Sequence, residues 1–191
     1  INDFVASGNF DTDLGKINSN INVKVFENKL YPHYSGELKL VNFELGKISD
    51  NPLFGQVNME GKISGKGLRI NTADFKLEGE VNSIVINDYK YTNIKTNARF
   101  AEKFFSGKLS INDPNLVFDL DGNIDLRDTV NHYNMNMNLK KSYLHNINLT
   151  KHKIFAVSDI EIKANGKELE DLLGEAHFDN TLIDFNNVPL V

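Results

Sequence analysis

Four residues with oxygen-bearing side chains alternate near the middle of the sequence: Asp119, Asp121, Asn123 and Asp125. Carboxylate and amide oxygens are the ligands that calcium prefers, so this spacing invites comparison with a calcium-binding loop. An EF-hand loop needs a glycine at its sixth position and a bidentate glutamate at its twelfth. Counted from Asp119, those positions hold Ile124 and Val130. The stretch therefore lacks both the sharp turn and the closing ligand of an EF-hand.

A β-strand explains the same stretch more completely. The positions that flank the acids on the other parity are apolar: Leu116, Phe118, Leu120, Ile124 and Leu126. Successive side chains of a strand point to opposite faces, so one face would be dry and the other wet. We therefore predict a strand here, with the acids as its solvated face.

No other set of residues has the spacing of a catalytic or metal site. The five histidines are scattered, and no candidate nucleophile lies beside a candidate base. Nucleophile-elbow, phosphate-loop and zinc-protease motifs are missing from the sequence. The net charge is −5 and the basic residues are dispersed, which argues against a nucleic-acid surface. We expect a protein that is not an enzyme and that needs no metal or cofactor.

Alternation of apolar and polar residues recurs along most of the chain, which is typical of an antiparallel sheet with one dry face. The phase of this alternation flips between Val81 and Ile84, which predicts a β-bulge. We expect an all-β chain in which the apolar residues of the pattern line one face of the sheet. These are Leu38, Leu40, Val57, Met59, Ile63, Phe75, Leu77, Val81, Leu109, Ile111, Leu116, Phe118, Leu120, Ile124, Leu126, Met135, Met137, Leu139, Ile160 and Ile162.

Glycine recurs at one point of the pattern, in Met59–Ile63, Leu77–Val81 and Leu120–Ile124. Glycine inside a strand marks a bend or a close approach of backbones, so these positions predict a long sheet curved into a groove. The spacing is uneven, which indicates a single all-β segment of loose repeat units, at about 1–68, 69–127 and 128–191. One short helix is predicted near 166–173, with Asn165 as its cap and Gly174 as its stop.

The apolar stripe has two interpretations that alternation cannot separate. It is either the closed core of a structural or adhesive β-sandwich, or the lining of a groove left open for lipid. A third interpretation is a surface that captures unfolded outer-membrane proteins by strand pairing. The scarcity of predicted helix favours the groove, because little is left to cover a sheet.

Several segments together resemble the TamB/AsmA-like family, and above all its Bacteroidetes-type TamB branch. They are "GKISGKGL", "LEGEVNSIVINDYKYTNI", "FSGKLSINDPNLVFDLDGNIDL" and "LEDLLGEAHFDNTLI". The resemblance extends over about Gly36 to Phe185, and it identifies the chain as an interior segment of such a protein.

The resemblance implies a periplasmic protein that is anchored in the inner membrane through sequence outside this chain. Such proteins fold as a "β-taco", a lengthwise-folded antiparallel sheet around a hydrophobic trough. They take part in phospholipid transport to the outer membrane and in outer-membrane assembly, with a BamA-type barrel as partner. The family offers no catalytic residues, so the expected ligands are phospholipid acyl chains along the twenty residues named above.

Overall fold

The structure, a computed structural model, describes residues 2–27, 29–67, 72–166, 171, 173–185 and 188–190. The chain divides into two compact units, Ile1–Glu102 and Lys103–Val191, here called the N-terminal and C-terminal units. The N-terminal unit contains β1 (Asn2–Thr12), β2 (Gly15–Val25), β3 (His33–Glu44), α1 (Leu45–Ser49), β4 (Phe54–Lys66), β5 (Asp74–Ile86) and β6 (Tyr89–Ala101). The C-terminal unit contains β7 (Phe104–Asn112), β8 (Leu116–Asp125), β9 (Asn131–Tyr143), β10 (Ile154–Gly166), β11 (Leu173–Phe185) and β12 (Val188–Leu190).

Within each unit, every strand pairs antiparallel with its neighbours in sequence. The order is β1 to β6 in the N-terminal unit and β7 to β12 in the C-terminal unit. Inside a unit, each described strand is hydrogen-bonded only to its neighbours in sequence. The predicted all-β class with a curved antiparallel sheet is confirmed, and the sheet within each unit is open and not closed into a barrel.

The alternation seen in the sequence places the apolar residues on one side of each sheet. In the N-terminal unit one row across neighbouring strands holds Leu40, Met59, Val81 and Ile94. In the C-terminal unit a row holds Leu109, Leu120, Met137 and Ile160. We call the side that carries these rows the apolar face and the opposite side the polar face.

The recurrent glycines face each other across neighbouring strands. Gly61 pairs with Gly79, and Gly107 pairs with Gly122. A Cβ atom on Gly79 would lie 2.3 Å from the carbonyl oxygen of Glu60 and 2.6 Å from the Cα of Gly61. Both atoms belong to the backbone and cannot move aside, so only glycine fits. The two strands therefore approach closely on the apolar face, where larger residues would hold them apart.

The predicted bulge is confirmed. The partner of Asn58 is Ser83, whereas the partner of Met59 is Val81, so one residue of β5 is left over. This extra residue keeps Val81 and Ile84 on the same face despite the flip in sequence phase.

The described residues contain a single helix, α1, which begins directly after β3. Of the helix predicted near 166–173, residues 167–170 and 172 lie outside the described residues. The predicted cap and stop are wrong, because Asn165 pairs with Leu173 and Gly174 with Ala164 in the ladder of β10 and β11. Backbone pairing with a neighbouring strand outweighs the local helix signal at both positions. None of the described helical segments is long and apolar enough to cross a membrane.

Candidate functional site

The aspartates of β8 lie on the polar face, where neighbouring strands supply their partners. Asp119 accepts hydrogen bonds from Lys140 Nζ at 2.6 Å and from Ser110 Oγ at 2.5 Å. These two hydrogen bonds lower the pKa of the Asp119 carboxyl. Asp121 pairs with Lys108 at 3.3 Å. The strand interpretation is confirmed, and these acids are paired with side chains of neighbouring strands.

Asp125, at the end of β8, pairs with a nearby arginine. Arg127 donates from Nε at 2.7 Å and from Nη2 at 2.5 Å to the two carboxylate oxygens of Asp125. This pair lowers the pKa of Asp125 to about 2. The guanidinium also lies over the ring of Phe104, at 4.2 Å from its centroid. The pair therefore fixes the end of the strand. Within the described part of the chain, no three acidic, histidine or cysteine side chains cluster as metal ligands do.

Charged residues elsewhere on the polar face also pair across strands. Lys39 of β3 lies 2.9 Å from Glu60 of β4, and Lys95 of β6 lies 3.4 Å from Glu80 of β5. All four side chains are more than half exposed, so each pair contributes little to stability. Such pairs keep this face solvated and fix the register between strands.

Side chains of the apolar face pack against their neighbours in the same sheet. The described strands of the same unit supply no second sheet to cover them. Four of the twenty predicted lining residues are buried, namely Val57, Leu77, Leu120 and Met135, and the other sixteen are half-buried. In a closed sandwich the central positions of the inner face would be fully enclosed by the opposite sheet. The described strands of each unit supply no such opposite sheet. The face therefore remains accessible at most of the predicted positions.

Three phenylalanines near the outer strands extend this face and are more exposed. Phe4 and Phe10 of β1 are 52% and 47% exposed, and Phe178 of β11 is 59% exposed. Each pairs with an aliphatic residue of the apolar face: Val23, Ile17 and Ile160, respectively. A large exposed ring that continues an apolar surface is typical of a binding surface.

Sequence reasoning missed several residues of the apolar face. Phe43, Tyr91, Ile94 and Ala98 are buried there but were not among the predicted lining residues. Bulges shift the phase of β3 near Asn42, whose φ of 50° is left-handed. Asparagine tolerates a positive φ better than most residues do. Asn42 was therefore the one signal in the sequence that could have revealed the shift in β3.

The arrangement of the two faces is suited to binding apolar ligands. Many charged side chains of the polar face are engaged in cross-strand pairs, and the apolar face of each unit offers a hydrocarbon surface. Such a surface can remove apolar ligands from water without any covalent step. Comparisons with protein-family models, with characterised proteins and with solved structures gave no match.

Proposed function

We propose that this chain is a segment of a periplasmic bridge protein that carries phospholipid acyl chains along its apolar face. The observation that carries the proposal is the half-buried apolar face of each unit, for which the described strands supply no second sheet. A ligand with long hydrocarbon chains would complete the burial that the sheet leaves unfinished.

The energetics favour this role. Moving a lipid tail into water costs about 0.8 kcal/mol per CH₂ group, on the order of 10 kcal/mol for a whole tail. A lining of similar aliphatic side chains offsets this cost evenly along the face, so no single position traps the ligand. Met135 and Met137 lie on neighbouring register positions of β9, and their flexible side chains adapt to a sliding chain.

The resemblance to TamB/AsmA-like proteins supports the wider setting of the proposal. In that setting the parent protein is anchored in the inner membrane, spans the periplasm and meets a BamA-type barrel at the outer membrane. Phospholipid would pass along the sheet toward the outer membrane during its assembly.

A structural or adhesive sandwich module is the alternative. That function would require the apolar face to be closed by a packed opposite sheet. The meander of sequence neighbours in each unit favours the open face, because sandwich folds connect their sheets by Greek-key crossings.

Binding of a fluorescent phospholipid to the delipidated protein tests the proposal. Phe178→Asp adds a charge to the apolar face at a side chain that is 59% exposed, so the fold has little packing to lose. Val5→Asp is the matched control, because Val5 is 60% exposed and lies on the polar face, opposite Asn22.

We expect Phe178→Asp to weaken lipid binding by about tenfold and Val5→Asp to leave it unchanged. Leu120→Asp, at a buried position of the same face, should abolish binding. Equal affinities of the wild type, Phe178→Asp and Val5→Asp would contradict the proposal, as would a delipidated protein that captures no phospholipid.

A further inference from the structure

The polar face of the N-terminal unit carries a depression of about 500 Å³ in which positive charge is concentrated. It lies at the strand ends, where β2 and β4 finish and β3 and β5 begin. Its basic side chains come from five strands: Lys24, His33, Lys66, Lys76 and Arg99. A single acidic residue, Asp74, lines the same depression.

The ion pairs in this depression leave an excess of cations. Arg99 donates from Nε and Nη2 to the two carboxylate oxygens of Asp74, each at 2.7 Å. Lys66 lies 3.8 Å from the same carboxylate, and Lys24 pairs with Asp3 at 3.5 Å. Lys76 makes no ion pair with any described residue. Arg99 and Lys66 thus share the Asp74 carboxylate. Lys76 lines the same depression without an ion pair to a described residue.

The neighbouring depression on the same face shows the opposite balance. It is lined by three lysines and four glutamates: Lys39, Lys62, Lys95, Glu37, Glu60, Glu78 and Glu80. The positive excess therefore belongs to the strand ends and is not a general property of the polar face. An anionic ligand would be attracted to this end of the sheet.

Aromatic rings mark the same strand ends on the apolar side. Tyr34 and Phe75 contribute to the edge of the depression, and each lies between two of its polar residues along the chain, so alternation turns its ring to the apolar face. The ring of Phe75 stacks on that of Phe100, with 5.7 Å between centroids. Burial and the nearby charge of Asp74 raise the pKa of Tyr34, so its phenol stays a neutral hydrogen-bond donor. An apolar body with a polar tip suits the boundary between a hydrocarbon chain and a headgroup.

We propose that this depression binds the phosphate headgroup of an anionic phospholipid whose acyl chains lie on the apolar face of the same strands. The inference rests on the proposed function and adds the class of lipid. Lysine and arginine form charge-assisted hydrogen bonds with phosphate oxygens, which are stronger than neutral ones. Successive side chains of a strand point to opposite faces, so at the start of β5 the polar Lys76 and the apolar Phe75 are neighbours, and the lipid would bend around this strand end.

The test compares two double variants that remove the same charge. Lys66→Gln/Lys76→Gln changes the basic depression. Lys62→Gln/Lys95→Gln changes the neighbouring depression, in which glutamates outnumber lysines. All four lysines are exposed on the polar face, so both variants should fold. The probes are dihexanoyl phosphatidylglycerol, dihexanoylglycerol with the same chains but no charge, and inorganic phosphate.

We expect Lys66→Gln/Lys76→Gln to weaken binding of the phosphatidylglycerol by about fivefold and to leave binding of the dihexanoylglycerol unchanged. The control variant should bind both lipids as the wild type does. Salt at about 0.5 M should reduce the difference between the variants, because it screens exposed charges.

The contradicting outcomes separate the two proposals. If the wild type binds neither lipid, the proposed function fails. If it binds both lipids and both double variants bind the phosphatidylglycerol equally, the headgroup inference fails while the apolar face stands. If inorganic phosphate binds as tightly as the phosphatidylglycerol, the depression is a site for free anions, which also overturns the inference.

Discussion

Replacing Gly79 by alanine places a methyl group between two backbones that already touch. The new Cβ would lie 2.3 Å from the carbonyl oxygen of Glu60 and 2.6 Å from the Cα of Gly61. Ordinary van der Waals contact begins at about 3.4 Å, so β4 and β5 must move apart by most of an ångström. Because backbone atoms cannot rotate away as a side chain can, the strain is carried by the ladder of hydrogen bonds between the two strands.

Overpacking of this kind costs typically about 1–3 kcal/mol. For a chain of this length, each kcal/mol lowers the melting temperature by about 2–4 °C. We therefore expect Gly79→Ala to melt about 2–12 °C below the wild type when unfolding is followed by far-UV circular dichroism. Amide hydrogen exchange should quicken in β4 and β5, where the two strands are forced apart.

Ser64→Ala is the matched control, because Ser64 lies in the same strand as Gly61 but on the exposed polar face. Its melting temperature should stay near that of the wild type, as for most surface substitutions. If Gly79→Ala melts with the control and its exchange rates are unchanged, the two strands do not approach as described, and the reasoning about the glycine pair is refuted.

Three further predictions concern other parts of the fold. Asp125 should titrate at about 2 by NMR, below its ordinary value of 3.8, so its pair with Arg127 stabilises the fold above pH ~4 and is lost as the pH falls toward 2; an unshifted midpoint would contradict this. Asn42→Val forces a β-branched residue to a φ of 50° and should destabilise the fold by about 1–2 kcal/mol in urea unfolding, whereas Asn42→Gly should be tolerated. Ile147, in the loop after β9, is only 1% exposed, so Ile147→Ala should lower the free energy of unfolding by about 2–4 kcal/mol. A loss below about 1 kcal/mol would show that the loop is not packed as described.

The strands could be predicted from the sequence because apolar and polar residues alternate with a period of two. The segment 118–125 alternates throughout, and no other regular structure buries its apolar residues together. At the turn between β5 and β6 the sequence has asparagine and aspartate, which tolerate positive φ, and Asn87 and Asp88 both adopt the positive φ that a two-residue hairpin needs.

The local sequence could not predict whether a short segment forms a helix or a strand when that choice depends on packing. Leu-Gly-Lys-Ile occurs at 14–17 and again at 45–48. The first copy enters β2, whereas the second forms α1 and packs against β4. The two copies also meet, because the backbone N–H of Glu44, just before α1, donates to the carbonyl oxygen of Leu14 at 2.7 Å. Identical residues thus take different structures because their neighbours in space differ.

The basic depression was likewise out of reach of the sequence. Lys66 and Lys76 lie on either side of the connection between β4 and β5, whereas Lys24 comes from the distant β2. The register of the ladder brings them to one end of the sheet, and alternation alone does not fix which residues of two strands are paired. Alternation indicated which side of a regular strand is apolar, but it missed Phe43 and Tyr91 beside bulges, and it did not reveal the charge pattern of the opposite face.

Line broadening by a spin-labelled phospholipid tests the central claim most directly. The label is carried on the acyl chain, and the methyl signals of Leu77, Leu120, Met137 and Val5 are followed by NMR. The first three belong to the apolar face, whereas Val5 is an exposed apolar side chain on the polar face. Selective broadening of Leu77, Leu120 and Met137, with Val5 unaffected, is the predicted result. Equal broadening of all four, or none at saturating lipid, would contradict the claim that the apolar face holds acyl chains.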